Sequence, residues 1–288
     1  MANAGRVLMD EGMGQEQPTS TAHRAGAVAA TEWLATAFPE VGCSLASAQA
    51  VFKSPDSFWS EQIETCLAYQ DRFASGMDDK IRAAHLIAFY SHQLSLAAGA
   101  IYLTTGLVPI VSGLRFETYS RAFDGQTLEA GRFHFLVEMP SGQGEMGREE
   151  RDKSFHDVFV AHLRPVIAVV KRRCSLSTRA QWRLAADGLA GAFLEIGRRR
   201  REEEMAIEQA LAIVKRAHSP LTSRELHYER IDVACAGGEG LRSRTYRIRG
   251  GCCLFYRAEG GSYCDTCVLL KRELRRDRLR AHLLGSKK

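Results

Sequence analysis

Between residues 83 and 114 the chain runs through 32 positions without one Asp, Glu, Lys or Arg. So long an uncharged stretch has to leave water, either in a bilayer or in the middle of a folded core. His85, Ser91, His92, Gln93 and the pair Thr104-Thr105 interrupt it, Gly99 and Pro109 divide it, and no comparable segment elsewhere offers a partner span. The stretch therefore reads as two buried core helices rather than a membrane span. Composition supports this: 288 residues at 45% apolar content suffice for one large domain or two ordinary ones.

Helical periodicity surrounds this core. Residues 25–38 are Ala-rich with Trp33, Leu34 and Phe38 at helical spacing, and residues 56–74 repeat the pattern with Phe58, Ile63, Leu67 and Phe73. Ser54-Pro55 opens the second as an N-cap followed by Pro at the first helical position, and Asp78-Asp79 puts acid at the start of the long apolar helix. After Gly113 the period changes to two. "LRFETYSRAF" and "GRFHFLVEM", with Phe133, Phe135 and Val137 on one side and Gly125 and Gly131 supplying turn chemistry, predict a β-hairpin. Helices return over 154–173, bent at Pro165, and over 178 to about 218, where "GRRRREEEM" reads as a solvated face. "HYERIDVAC" and "SRTYRIRG" are extended runs joined by the turn "AGGEG". The fold class is mainly α with a small β-hairpin or sheet, α+β.

Four of the eight cysteines, Cys43, Cys66, Cys174 and Cys235, are scattered singly, as buried small hydrophobes are; the other four crowd into "GCCLFYRAEGGSYCDTC". The amino terminus is polar and turn-rich, without the charged and apolar regions of an export signal, so residues 1–24 read as a flexible tail and the location as cytosolic. In that compartment thiols stay reduced, and clustered cysteines point to metal or redox chemistry. Cys252-Cys253, ten residues, then Cys264 and Cys267 give C-C-x10-C-x2-C. A C-x-x-C turn aims two sulfurs at one ion. Adjacent cysteines leave an extended chain on opposite faces, so a sharp turn is required there, and Gly250-Gly251 would supply it while Gly260-Gly261 folds the loop back. A single tetrahedral zinc suits neighbours poorly, whereas a two-iron cluster offers more ways to hold them; the chemistry alone leaves 2Fe-2S, zinc and thiol–disulfide exchange open.

"RGGCCLFYRAEGGSYCDTCVL" resembles the carboxy-terminal motif of the FhuF-type ferric-siderophore reductases, and the segments around "GLVPIVSGLRFET" and "STRAQWRLAADGLAGAFLEIG" look like that family's in the same order, over roughly residues 80–270. The resemblance implies a 2Fe-2S cofactor on Cys252, Cys253, Cys264 and Cys267. It further implies a ferric siderophore as substrate, reduced by one electron so that chelated Fe(III) leaves as Fe(II).

Arg249 and Arg257 flank the thiol pair, with Arg242, Arg244 and Arg247 upstream; they would raise a cluster's potential or attract an anionic chelate, or simply face solvent on a strand. Tyr256 and Tyr263 would shield the cluster or pack. Trp182 is assigned to the core, or else to a siderophore cleft. His85 and His92 share a helical face and read as core histidines before a metal pair; His156 and His162 share no clean face. No G-x-G-x-x-G is read after a strand, so electrons are expected from a separate donor such as a ferredoxin or reductase.

Residues 271–288 hold eight Lys/Arg against two Asp/Glu, a local +6 that leaves the first 270 residues at −1 within a net charge of +5. Leu270, Leu274 and Leu284 would lie beside this basic face, which extends past the resemblance and reads as a helix docking an acidic electron donor, with nucleic-acid contact ranked below it. The expected organisation is a tail over 1–24, a mainly helical siderophore-reductase body over 25–220, an iron–sulfur module over 221–270 and a basic helix over 271–288. Two further functions compete with the reductase: an Fe-S regulator touching nucleic acid through the tail, and a zinc-stabilised interaction domain.

Overall fold

A computed structural model describes residues 18–46, 51–123, 125–140, 146–234 and 240–285. Helix α1 is Pro18–Ala37, strand β1 Gly42–Leu45, α2 Pro55–Tyr69 and α3 Asp79–Thr105. Strands β2 (Ile110–Phe123) and β3 (Gln126–Glu138) follow, then α4 (Arg148–Arg173), α5 (Thr178–Arg200) and α6 (Glu203–Val214). β4 (His227–Ala234), β5 (Leu241–Ile248) and α7 (Arg272–Gly285) complete the order. The 1–24 stretch expected as tail thus contributes residues 18–24 to α1; residues 1–17 lie outside the described residues, as does Cys235.

The uncharged stretch is one helix and a strand, not two helices. Asp78 caps α3, its carboxylate accepting from the Ile81 amide at 2.8 Å, and Gly106 ends it in the left-handed conformation at φ 73°. Every residue from Leu94 to Leu103 is buried. Gly99, expected as a divider, sits inside the helix, where a Cβ would stand 2.8 Å from the Phe193 ring of α5; its smallness serves packing. Among the described residues α3 alone is long and apolar enough to cross a membrane, and 83% of its apolar window is buried within the protein.

β2 and β3 form the expected antiparallel hairpin, turning at Gly125 (φ 74°), with Phe133, Phe135 and Val137 all buried on the core side. Gly131 is no turn residue: it lies within β3, and a Cβ there would meet the rings of Phe116 and Tyr69 at about 2.5 Å. β1, too short to show an alternating pattern, adds a parallel edge beside β3.

The single helix expected over 178–218 breaks at Arg201, whose φ of 62° terminates α5 without a glycine. "GRRRREEEM" is therefore a helix–helix corner, closed by Arg198–Glu203 and Arg200–Glu202 ion pairs at 2.9 Å. Ser54 and Pro55 open α2 as expected.

β4 and β5 pair as an antiparallel hairpin; most of their "AGGEG" connection lies outside the described residues. Leu221 and Leu226 are fully buried in the same core as α3 and α5, so packing is continuous across the 220/221 boundary. α7 covers the hairpin through Leu279 and Leu283, which meet Ile231, Tyr246 and Ile248 in a separate small core. Of the three leucines expected on α7's apolar edge, Leu270 is buried, but Leu274 and Leu284 are 48% and 52% exposed.

α3 and α5 pack closely at Gly188, where a Cβ would stand 2.3 Å from Ser91 Oγ and 2.8 Å from the His92 amide nitrogen. Gly188→Val is expected to lower the unfolding free energy by about 3 kcal/mol through overpacking, read as a lower urea midpoint at an unchanged slope.

Candidate metal centre and adjoining cleft

β5 ends at Ile248 and delivers Arg249, Gly250, Gly251 and the cysteine pair directly onto α5. The receiving group is Asp187, 1% exposed. Its Oδ1 accepts the Gly250 amide at 2.7 Å and its Oδ2 the Gly251 amide at 2.9 Å, while Arg249 Nε stands 3.5 Å from Oδ2. Arg247 Nη1 donates to the Asp187 carbonyl at 2.5 Å. The two glycines allow this approach: a Cβ on Gly251 would lie 3.0 Å from the Leu184 amide nitrogen, and one on Gly250 would lie 2.6 Å from Ser223 Oγ. They were expected to make the turn at the cysteine pair, yet neither has positive φ. The left-handed residue is Leu254, at φ 61°, just after the pair. Gly260 (φ 69°) folds the loop back, and Gly261 passes where a Cβ would strike the Phe255 carbonyl.

The loop is tied at its ends. The Arg249 amide donates to Thr266 O at 3.2 Å, and the Cys267 amide to Cys264 O at 3.0 Å, which closes the C-x-x-C turn. Arg249 Nη1 reaches both halves of the motif, 3.4 Å from Cys253 Sγ and 3.7 Å from Cys264 Sγ. The Leu254 amide points at Cys252 Sγ, 3.4 Å away. Cys253 is pulled down to about 4 by the hydrogen bond from the Cys264 thiol, with Arg249 favouring the same charge; as donor, Cys264 is pushed the opposite way. The Cys264 contact and Arg249 thus both favour negative charge on Cys253. Burial pushes Cys252 up, and pushes the scattered Cys43 and Cys66 up to about 12, leaving those two inert. Burial also raises Asp187, against which Arg247, Arg249 and the two glycine amides pull down.

A cleft of about 300 Å³ opens beside the loop. His85 and His92 of α3, Arg247 of β5, Arg249, and Cys253 and Cys264 of the loop all line it. The two histidines, read from sequence as core residues, are half-buried and line this cleft: His85 Nδ1 donates to Gln70 Oε1 at 2.7 Å and His92 Nε2 stands 3.6 Å from Glu195. Burial lowers the pKa of His85, so it faces the cleft uncharged.

Trp182 packs in the main core and lines no part of the cleft. Arg257 turns away from the sulfurs to pair with Asp78 at 2.9 Å, clamping the loop to the start of α3. Arg244 packs over the Tyr246 ring. Tyr256 and Tyr263 stack on each other at 4.6 Å. His162 Nε2 hydrogen-bonds with the Tyr90 hydroxyl and His156 contacts Asp157 and Ser219, so each has its own partners. Asp187 escaped the sequence reading, although it stands as the lone acid in the apolar run "LAADGLAGAF".

Contrary to the sequence expectation, residues 142–147, G-Q-G-E-M-G, do follow a strand and precede a helix. The context is wrong for a dinucleotide: β3 lies between β1 and β2, and the next described strand, β4, belongs to another sheet, so β3 and the helix after it do not open a βαβ unit among the described residues. Residues 141–145 lie outside the described residues.

Four thiols on one tied loop, with charge on Cys253 favoured and N–H groups aimed at sulfur, are the kind of donor set that an iron–sulfur cluster takes. Among the described residues no three His, Cys, Asp or Glu side chains, the four sulfurs of the loop included, are gathered closely enough to hold a metal ion.

Residues 118–229 match the family model described as ferric iron reductase FhuF-like transporter, and residues 249–269 match that of the FhuF 2Fe-2S C-terminal domain. The cofactor is accordingly a 2Fe-2S cluster. No curated protein and no solved structure matches.

Asp187→Asn keeps the shape but exchanges one acceptor oxygen for a donor and leaves Arg249 without its counter-charge. It is expected to cost about 2–4 kcal/mol of stability, read by chemical denaturation, and to reduce the iron retained per chain.

Proposed function

The chain belongs to the FhuF-type family of ferric iron reductases, and from that premise we propose that it is a cytosolic ferric-siderophore reductase whose cluster is held by Cys252, Cys253, Cys264 and Cys267. The observation that carries the reading is the cleft, which two helical histidines and two arginines line together with Cys253 and Cys264. When bound, the cluster supplies a single reducing equivalent.

The chain's own groups do the rest. Arg249, donating toward two sulfurs, favours the more negative reduced state and so raises the potential. Asp187 fixes where that guanidinium points. His85, His92 and the arginines give a substrate's oxygen donors hydrogen-bonding partners, while Ala88 and Phe89 offer it apolar surface. In the reaction the ferric chelate accepts one electron and becomes a ferrous chelate. Hard oxygen donors hold the larger, softer Fe(II) far more weakly, so iron leaves after electron transfer without breaking the tight ferric complex. A cytosolic location suits the site, because the reduced thiols it needs persist there.

Reduced holoprotein titrated anaerobically with ferric hydroxamates should be reoxidised one chelate per chain, seen as recovery of the visible cluster band and as ferrous iron in a colorimetric trap. A reduced band unchanged by every ferric chelate would refute the reading. Arg249→Gln should shift the midpoint potential negative by on the order of tens of millivolts, where about 59 mV is tenfold for one electron, measured by redox titration.

A further inference from the structure

α7 is seated by one stripe of side chains. Leu279 and Leu283 are buried on the β4–β5 hairpin, Arg276 Nε pairs with Glu229 of β4 at 3.1 Å, and buried Arg275 donates to Leu270 O. Lys271, Leu274 and Arg278, spaced three and four apart, share a strip beside it. Arg278 Nη1 donates to the Tyr263 carbonyl at 2.8 Å, and Tyr263 is the residue before Cys264. Tyr263 is 39% exposed and Leu274 48%. An aromatic ring and a leucine are thus left in solvent among cations, one hydrogen bond from the cysteine loop. Arginine and aromatic residues are enriched at protein interfaces, and exposed charge steers encounter.

We infer that Lys271, which immediately precedes α7, and Leu274 and Arg278 of α7, with Tyr263 of the cysteine loop, form the docking face for an acidic one-electron carrier protein. The inference rests on the proposed reductase function, which needs an electron from outside the chain. In the step itself the carrier loses one electron and the cluster gains it, with no bond made or broken. Charge supports this occupant: residues 271–288 carry +6 while the first 270 carry −1, and in the described stretch 271–285, which Arg278 ties to the cysteine loop, six Lys/Arg stand against two Asp/Glu. α7 lies outside both family matches and lines no part of the cleft, so donor and chelate would use different surfaces.

The test uses full-length holoprotein and a flavodoxin of net negative charge. Binding of the oxidised flavodoxin is measured by calorimetry, and cluster reduction by its reduced form in stopped flow, each at low and high salt. Lys271→Glu, which leaves the Arg278–Tyr263 bond intact, should weaken binding and slow reduction by about tenfold at low salt; Lys271→Glu/Arg278→Glu should do more. Both effects should shrink at high salt, and reduction by dithionite at high salt should be unchanged. Unaltered binding and rate in Lys271→Glu at low salt would overturn the inference, as would equal slowing with dithionite. Salt-sensitive retention of a DNA duplex, lost in the variants and unaccompanied by flavodoxin binding, would also overturn it and identify a nucleic-acid surface. If ferric chelates fail to reoxidise the cluster while flavodoxin still reduces it in this charge-dependent way, the docking face stands and the reductase reading falls.

Discussion

Asp187 carries a carboxylate almost wholly removed from water, and its surroundings offset that cost with two backbone amides and a guanidinium. The amides belong to Gly250 and Gly251, so satisfying the carboxylate fixes the first turn of the cysteine loop against α5. The guanidinium belongs to Arg249, so the same bond aims a positive charge at Cys253 and Cys264. One buried anion therefore does two jobs: it places the sulfurs and it sets their electrostatics. Both glycines are needed for it, because a side chain at either would strike Ser223 or the α5 backbone.

From this follows the relation between body and site. α5 is held to α3 by the small residues Gly99 and Gly188, and α3 brings His85 and His92 to the cleft. The long apolar helix α3 is thus the reference frame for the cluster loop, joined to it through α5 on one side and through the Arg257–Asp78 pair on the other. An electron-transfer site benefits from such rigidity, because hydrogen bonds to sulfur tune a potential only if their geometry is kept in both oxidation states.

What could be read from sequence was what local chemistry determines. The Ser54-Pro55 cap, the acid at the start of α3 and the Phe133–Phe135–Val137 alternation each concern residues near one another in the chain, and each is found in the structure; the cysteine spacing is likewise local. Asp187 meets partners more than sixty positions away, so nothing local marks it beyond being an acid among apolar neighbours. The α5–α6 break was hidden because Arg201, not glycine, adopts the left-handed conformation. Gly99 and Gly131 misled for the complementary reason: they suggested chain reversal, but their role is close packing against Phe193, Phe116 and Tyr69. Arg257 was assigned by proximity in sequence, whereas its partner lies at the start of α3.

The central claim is that four sulfurs on a loop anchored by Asp187 hold two bridged irons. Iron, zinc and acid-labile sulfide are to be quantified per chain in anaerobically isolated protein, alongside four Cys→Ser variants at 252, 253, 264 and 267 and a control at Cys174. The account predicts iron and sulfide in equal amount, a paramagnetic signal after one-electron reduction, loss of both in each of the four variants and retention in Cys174→Ser. Zinc without sulfide in the parent protein, or full iron and sulfide in any of the four variants, would contradict it.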